Sequence, residues 1–315
     1  MVAQLVAMRS ETQAPVASSV AAAQQLVESF LTGRSEQTLR AYRADLEDFR
    51  AWVGAATIDG AAQALLAQGH GPANGLALAY RADLVDRGLA PATVNRRLAA
   101  LRSLVALART LGLVPWALEV KGVRAETYRD TRGPGRVGVQ ALFAEAADRV
   151  DPKGLRDLAI VRLLHDVALR RGEVVGLDLA DLDLERGTVA VLGKGKAQRV
   201  LVTLPAQTQA ALAAWLEVRG VEPGPLFTNF DRAGKGGRLT GRSVARVVAD
   251  LGESVGLEVR PHGLRHAAIT QALDVTGGNV RQVQRFSRHA KIETLLVYDD
   301  NRQDLAGEVA ALVAI

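Results

Sequence analysis

The chain has 315 residues, 48% of them hydrophobic and none of them cysteine, enough for about two domains of ~150 residues, each with a buried core. The lack of cysteine excludes a disulfide scaffold, a thiolate metal site and a cysteine nucleophile, and it fits a reducing, cytoplasmic setting. Lys+Arg 39 against Asp+Glu 34 leaves a net charge of only +5, a weak pointer to nucleic acid, but 33 of the 39 cations are Arg, the side chain that grips phosphate with a two-pronged fork.

Residues 1–18 are small, polar and Pro-containing and read as a loose tail. Gln4 and Arg9 break the apolar stretch there, so no secretory signal is expected. From Ser35 onward Leu39, Tyr42, Leu46, Phe49 and Trp52/Val53 recur at three- and four-residue steps, the mark of an amphipathic helix, with Arg40, Arg43 and Arg50 off the stripe. The longest uncharged run, Gly60 to Tyr80, contains Gln63, Gln68, Gly69, Gly71, Pro72, Asn74 and Gly75, which a bilayer-spanning helix hardly tolerates. No membrane partner is expected.

A second helix begins after Pro91 with Val94, Leu98, Leu101, Leu104/Val105 and Leu111 on one face, and Gly112 and Pro115 end it. Arg87, Arg96, Arg97, Arg102 and Arg109 fall between Arg87 and Leu118 with no acid among them. Arg87, Arg96, Arg97 and Arg102, with Arg40 and Arg43, are the candidates for contact with a duplex backbone, where each neutralised phosphate releases counterions. The alternative is a solvated helix face.

Residues 122–138, with Gly122, Gly133, Pro134, Gly135 and Gly138, have the composition of a linker between a helical domain at 19–121 and a second domain at 139–315. Gly133 to Gly138 matches the GxGxxG spacing, but the polar run before it is no strand, which disfavours a dinucleotide site. Helices are expected near 138–150, 155–168, 206–219, 241–255, 262–273, 278–286 and 303–313. Between them Thr188, Ala190 and Leu192 alternate with Val189 and Val191, a Gly-Lys-Gly-Lys turn follows, and Val200, Val202 and Leu204 resume a strand. The expected fold is therefore mainly α with a small antiparallel β-sheet. Asp178, Asp181, Asp183 and Glu185 lack the Gly-centred spacing of a calcium loop and read as a solvated loop.

Chemistry-bearing residues concentrate late in the chain. Tyr298 is the only tyrosine after Tyr128, and His262, His266 and His289 lie just upstream of it. Pro261 suits a first helical turn, which would put His262 and Arg265 on one face as an anion site. Zinc between His262 and His266 is disfavoured, because Arg265 puts a cation where a metal would be repelled and no Glu base lies between them. Arg170, Arg171 and Glu173 follow an apolar helix, and Lys194 sits on the hairpin turn.

Ala168-Leu169-Arg170-Arg171-Gly172-Glu173 resembles the Gly-Leu-Arg-x-x-Glu box of the tyrosine recombinases, the phage integrase family. Gly193-Lys194-Gly195 resembles their hairpin lysine, Pro261-His262-Gly263-Leu264-Arg265-His266 their His-x-Leu-Arg-His box, and His289 precedes Tyr298 at the spacing of their last histidine and nucleophile. Ser35 to Tyr42 and Ala92 to Leu98 are similar to the family's core-binding helices, so the resemblance covers most of residues 20–315. Two departures stand out: Ala168 replaces the usual Gly before Leu-Arg, and Ser287-Arg288-His289 replaces the commoner Leu-Gly-His.

The resemblance implies a helical, SAM-like core-binding domain followed by an α+β catalytic domain. It implies a site-specific recombinase or integrase that cleaves and rejoins DNA through a 3′-phosphotyrosine intermediate on Tyr298. Arg170, Arg265, His262 and His289 would hold the phosphate, His262 would take the tyrosine proton, and Lys194 would protonate the leaving 5′-oxygen. Glu173 and His266 would orient Arg170 and His262, and a loss below tenfold on Glu173→Gln is the expectation for such a supporting role. With fixed cations and no carboxylate pair aimed at phosphate, no metal and no cofactor is expected. The implied partners are double-stranded DNA and further copies of the chain, a tetramer on DNA, possibly with a related recombinase. The stripe Leu305, Val309, Leu312 and Ile315 of the last helix would dock on a neighbouring protomer or on its own domain, and the short tail before Ser35 leaves little room for an arm-binding domain. The alternatives are a type IB topoisomerase-like nicking-closing enzyme, a catalytically silent DNA-binding protein and, on the glycine turns alone, an NTP-binding enzyme.

Overall fold

The structure is a computed structural model of the chain, and it describes residues 25–32, 36–124, 133–193, 198–230, 236–296 and 313–314. The chain divides into two compact units, 1–128 and 129–315.

The first unit is helical, with a helical segment at 25–31 followed by α1 (Glu36–Val53), α2 (Ile58–Leu66), α3 (His70–Asp86) and α4 (Pro91–Thr110). The stripe expected on α1 faces inward, with Leu46 and Phe49 buried and Tyr42, Trp52 and Val53 packed against the same core. Phe49 and Trp52 meet Tyr80 of α3 at ring-centroid distances of 5.1 Å each. Neither α2 nor α3 was expected from the uncharged run. Thr57 starts α2 by accepting from the Gly60 amide, and Gly69, at φ +77, turns the chain into α3. Pro72 is harmless there because the amides of a first helical turn have no partner four residues back. Ala73, Ala77, Tyr80 and Leu84 then recur at helical spacing and are all buried. After α4 the chain returns along it, held by Asn95, which exchanges two hydrogen bonds with the Val123 backbone at 2.8 and 3.0 Å.

The second unit comprises α5 (Gly135–Asp148), α6 (Pro152–Asp166), α7 (Arg171–Val175), β1 (Leu182–Asp183), β2 (Thr188–Leu192), β3 (Arg199–Thr203), α8 (Ala206–Arg219), α9 (Gly241–Ser254), α10 (Pro261–Val275), α11 (Val280–Ser287) and α12 (Glu293–Leu296). Gly135 to Gly138, expected as linker, form the first turn of α5. The centre is α6. Asp151 caps it through the Lys153 and Gly154 amides, Pro152 occupies its first position, and Ala159, Ile160, Val161, Leu163 and Leu164 are all buried because α5, α8 and α10 all pack on it. Trp215 of α8 is fully buried, its indole N–H satisfied by Leu226 O at 2.9 Å.

The sheet is antiparallel in the order β1-β2-β3, with Val189 paired to Val202 and Val191 to Val200. Val189 and Val191 point into the core, as the alternation indicated. The hairpin turn at 194–197 and all of the expected last helix except residue 313 lie outside the described residues. The acidic stretch before β2 is less solvated than expected: Asp181 pairs with Arg199 at 2.6 Å and Asp178 with Arg238.

Candidate active site

The site forms where three chain turns meet at the ends of α6, α10 and α11. The chain leaves α6 through Ala168, whose φ is +47, a left-handed conformation that costs a residue with a Cβ ~1–2 kcal/mol. The turn is tight, because the Ala168 amide donates to His165 O and the Leu169 amide to Leu163 O, both at 3.0 Å. Arg170 follows as the N-cap of α7. Three residues on, Glu173 accepts from the Arg170 amide at 2.8 Å and from its guanidinium Nη1 at 2.7 Å, the returning half of a capping box with an ion pair added. The Glu173 side chain is 3% exposed and that of Arg170 32%, so the carboxylate is the inner anchor and the guanidinium reaches toward solvent.

Pro261 opens α10. One helical step separates His262, which is exposed, from Arg265, which is buried. The Arg265 guanidinium donates to Ala168 O and to Ser287 O, joining the turn after α6 to the turn after α11. Its Nη2 also lies 3.3 Å from His289 Nε2. Since a guanidinium only donates, Nε2 is the accepting nitrogen of a neutral imidazole. Nδ1–H then donates to Ser287 Oγ at 2.9 Å, and the Ser287 hydroxyl donates to Gln284 O at 3.4 Å. Beneath these groups Ala168, Ala268, Ile269, Val283 and Leu295 form a small buried cluster, which seats the turns and the start of α12.

The electrostatics follow from this packing. Burial pulls the Glu173 carboxyl upward, but hydrogen bonds from the Arg170 amide and guanidinium and the charges of Arg288 and Arg170 hold it below its ordinary value. Loss of hydration and then repulsion from Arg265 and Arg170 lower the His262 pKa. The same causes, with Arg288 and His262 added, push His289 down to about 4. Both imidazoles are therefore neutral at pH 7.

Of the expected site residues, Arg170, Glu173, His262, Arg265 and His289 come together, whereas Lys194 and Tyr298 lie outside the described residues. His266 is buried and meets Thr270 Oγ1 at 3.4 Å, one turn along its own helix. Arg288, one of the two departures from the family pattern, lies within the site, with Nη1 donating to Val167 O at 3.0 Å and Nη2 to Ala168 O at 2.8 Å. A long cation at a position where glycine is usual was the available signal for it. Ser287, fully buried, gave no such signal.

In the first unit the charge surplus seen along α4 is offset in three dimensions. Arg87 and Arg97 pair with Asp48 at 2.7 and 2.8 Å, and Arg96 pairs with the buried Asp45. Arg102 donates to Val120 O at 2.7 Å. Arg40 and Arg43 are exposed on α1. Helices from elsewhere in the sequence supply acids that a count along α4 alone misses.

Comparison with known proteins identifies the family. Residues 138–304 match the family model described as the phage integrase family, and residues 29–110 match that of the phage integrase N-terminal SAM-like domain. A tyrosine recombinase of Synechocystis sp. is 41% identical over 290 residues, covering 89% of this chain and 91% of that protein. One of Synechococcus elongatus is 44% identical over 282 residues, covering 87% and 88%. Among solved structures, the Tn1549 transposon integrase in complex with transposon right end DNA aligns with a TM-score of 0.67 at 17% identity, over 94% of this chain and 99% of that one. A lambda integrase dimer bound to a core site aligns with a TM-score of 0.66 at 14% identity, over 89% and 95%. These two share the fold: a helical unit followed by a mostly helical unit with a small sheet. The chain belongs to the phage integrase family of tyrosine recombinases.

Proposed function

We propose that the chain is a site-specific DNA recombinase that breaks and rejoins strands through Tyr298 without a metal ion or cofactor, with 19–121 as its core-binding domain and 139–315 as its catalytic domain. The observation that carries this reading is the convergence of Arg170, His262, Arg265 and His289 at one place from turns far apart in sequence, in a chain whose relatives are named tyrosine recombinases. Double-stranded DNA as partner is supported by the structural neighbour solved in complex with transposon right end DNA. Assembly of four copies on DNA is part of the same proposal.

Attack on a phosphodiester adds negative charge to the non-bridging oxygens, so donors fixed before reaction stabilise the five-coordinate phosphorus. Arg170, whose side chain is 32% exposed, and His262, which is exposed, are the groups that meet the phosphate first. Arg265 holds the turns together and supplies charge from behind. Tyrosine ionises near pH ~10, so its phenol needs a base at neutral pH. His262, neutral because of its lowered pKa, accepts the Tyr298 proton as the phenolic oxygen bonds to phosphorus. The bond to the 5′-oxygen breaks, and Lys194 gives that oxygen its proton. The product is a 3′-phosphotyrosine bond and a free 5′-hydroxyl, and reversal on a new strand completes the exchange.

The test is covalent trapping. Wild type and Tyr298→Phe are incubated with pooled nicked duplexes from DNA flanking the gene, in chelator, and denatured. A protein–DNA adduct with wild type alone is the expected result. Tight DNA binding without any adduct would leave the silent DNA-binding reading in its place, and relaxation of supercoils by monomer without site preference would favour the topoisomerase reading.

A further inference from the structure

Arg288 ends α11 at φ +57, a left-handed conformation that glycine enters at little cost. A long cation stands there instead, and its side chain curls back into the protein, 10% exposed. Nη1 donates to Phe286 O and Val167 O at 3.0 Å each, and Nη2 to Ala168 O at 2.8 Å and to Glu173 Oε2 at 3.3 Å. Among the described residues, Ala168 and Arg288 are the non-glycine residues with positive φ. The second is thus hydrogen-bonded to the carbonyl of the first.

Two consequences follow from these contacts. Ala168 O accepts from both Arg265 and Arg288, so the turn that leads to Arg170 is held by two guanidiniums. Glu173 is likewise shared: Oε1 takes Arg170 Nη1, and Oε2 takes the Arg170 amide and Arg288. Were Arg288 absent, the whole charge of that buried carboxylate would act on Arg170, the guanidinium that reaches solvent.

We propose that Arg288 is a positioning residue, which locks the left-handed turn before Arg170 and offsets the Glu173 carboxylate so that Arg170 keeps its charge for an incoming phosphate. This rests on the reading that Arg170 binds the scissile phosphate. Arg288 itself faces main-chain oxygens and Glu173.

The experiment compares wild type, Arg288→Gly, Arg288→Lys, Glu173→Gln and the Arg288→Gly/Glu173→Gln double variant in single-turnover cleavage of a nicked duplex, with DNA affinity and Tm measured alongside. Glycine suits the backbone here, so Arg288→Gly should fold and bind DNA as wild type does, yet cleave roughly tenfold to a hundredfold more slowly. Lysine should restore part of the rate, since an ammonium cannot span all of these acceptors. The double variant should cleave faster than Arg288→Gly alone, because the uncompensated carboxylate is gone. Because the two side chains touch, some coupling arises in any case; a merely structural residue would leave the double variant no faster than Arg288→Gly. Wild-type cleavage by Arg288→Gly, or a double variant no faster than it, overturns the proposal. If the glycine variant does not fold, Arg288→Lys carries the test, and a wild-type rate for it overturns the proposal.

If wild type forms no adduct, the recombinase reading fails and a second readout decides on Arg288. The Arg170 Nε–H NMR signal of DNA-free protein is titrated with inorganic phosphate. Arg288→Gly should weaken the response several-fold and Glu173→Gln should restore it, whereas equal responses in wild type and Arg288→Gly overturn the proposal.

Discussion

Replacing Glu173 with Gln separates the support of the site from its chemistry. The carboxylate is 3% exposed and takes hydrogen bonds from the Arg170 amide, the Arg170 guanidinium and the Arg288 guanidinium. Gln keeps one acceptor oxygen but turns an NH2 toward a donor and removes the charge that balances two cations. Breaking a fully buried ion pair by removing one partner costs ~3–5 kcal/mol. Water reaches Arg170, 32% exposed, so the expected loss here is about 2–3 kcal/mol after allowing for screening. For a unit of this size that is ~2–4 °C in Tm per kcal/mol, or roughly 4–12 °C in all. The pH dependence has a definite sign. The folded pKa of Glu173 lies below its unfolded value, so its stabilisation is present above the unfolded value and is lost as pH falls through the folded one. The gap in Tm between wild type and variant should therefore shrink in acid. Cleavage by DNA-bound enzyme should fall less than tenfold. Calorimetric melts from pH 7 down to 3.5, with single-turnover cleavage at pH 7, give both numbers. An unchanged Tm would refute the pairing argument, and a loss above a thousandfold at unchanged Tm would mean that Glu173 touches the reacting groups.

Arg265→Lys should fold but cleave ~10²–10³-fold more slowly with DNA affinity nearly kept, because one ammonium cannot bridge Ala168 O, Ser287 O and His289 together; cleavage within threefold of wild type would refute this. Ala168→Gly should leave stability within about 1 kcal/mol of wild type, because the relief of a left-handed Cβ is offset by the added freedom of the unfolded chain and by the loss of a methyl from the buried cluster; a larger loss by chemical denaturation would refute this. His289 has a folded pKa of about 4 against an ordinary 6.5. Between those values the unfolded chain binds a proton that the folded chain does not, so stability should fall as pH drops from 6.5 to 4 and His289→Gln should flatten that slope; equal slopes by thermal melting would count against the buried neutral imidazole.

What the sequence revealed of this molecule divides along a physical line. The amphipathic stripe of α1 and the alternation of β2 are local patterns, and each is found where it was read. The same holds for His262 and Arg265, one helical step apart on α10. What escaped local reading arises between elements. Helix α3 runs through Gly71, Pro72 and Gly75 because its first turn needs no amide donors and its inner face is covered by α1 and α4. The arginines of α4 look like an open cationic face until Asp45 and Asp48 on α1 neutralise part of it. Arg288 is the sharpest case. As a letter it is an extra charge at a position where glycine is usual, yet in the fold its guanidinium reaches back some 120 residues along the chain to the carbonyl of Ala168, the other site residue that stands in for a glycine. The two departures from the family pattern thus meet in one hydrogen bond. Substitutions that look like separate losses of glycine form one joint, and replacing either residue should be felt at the other.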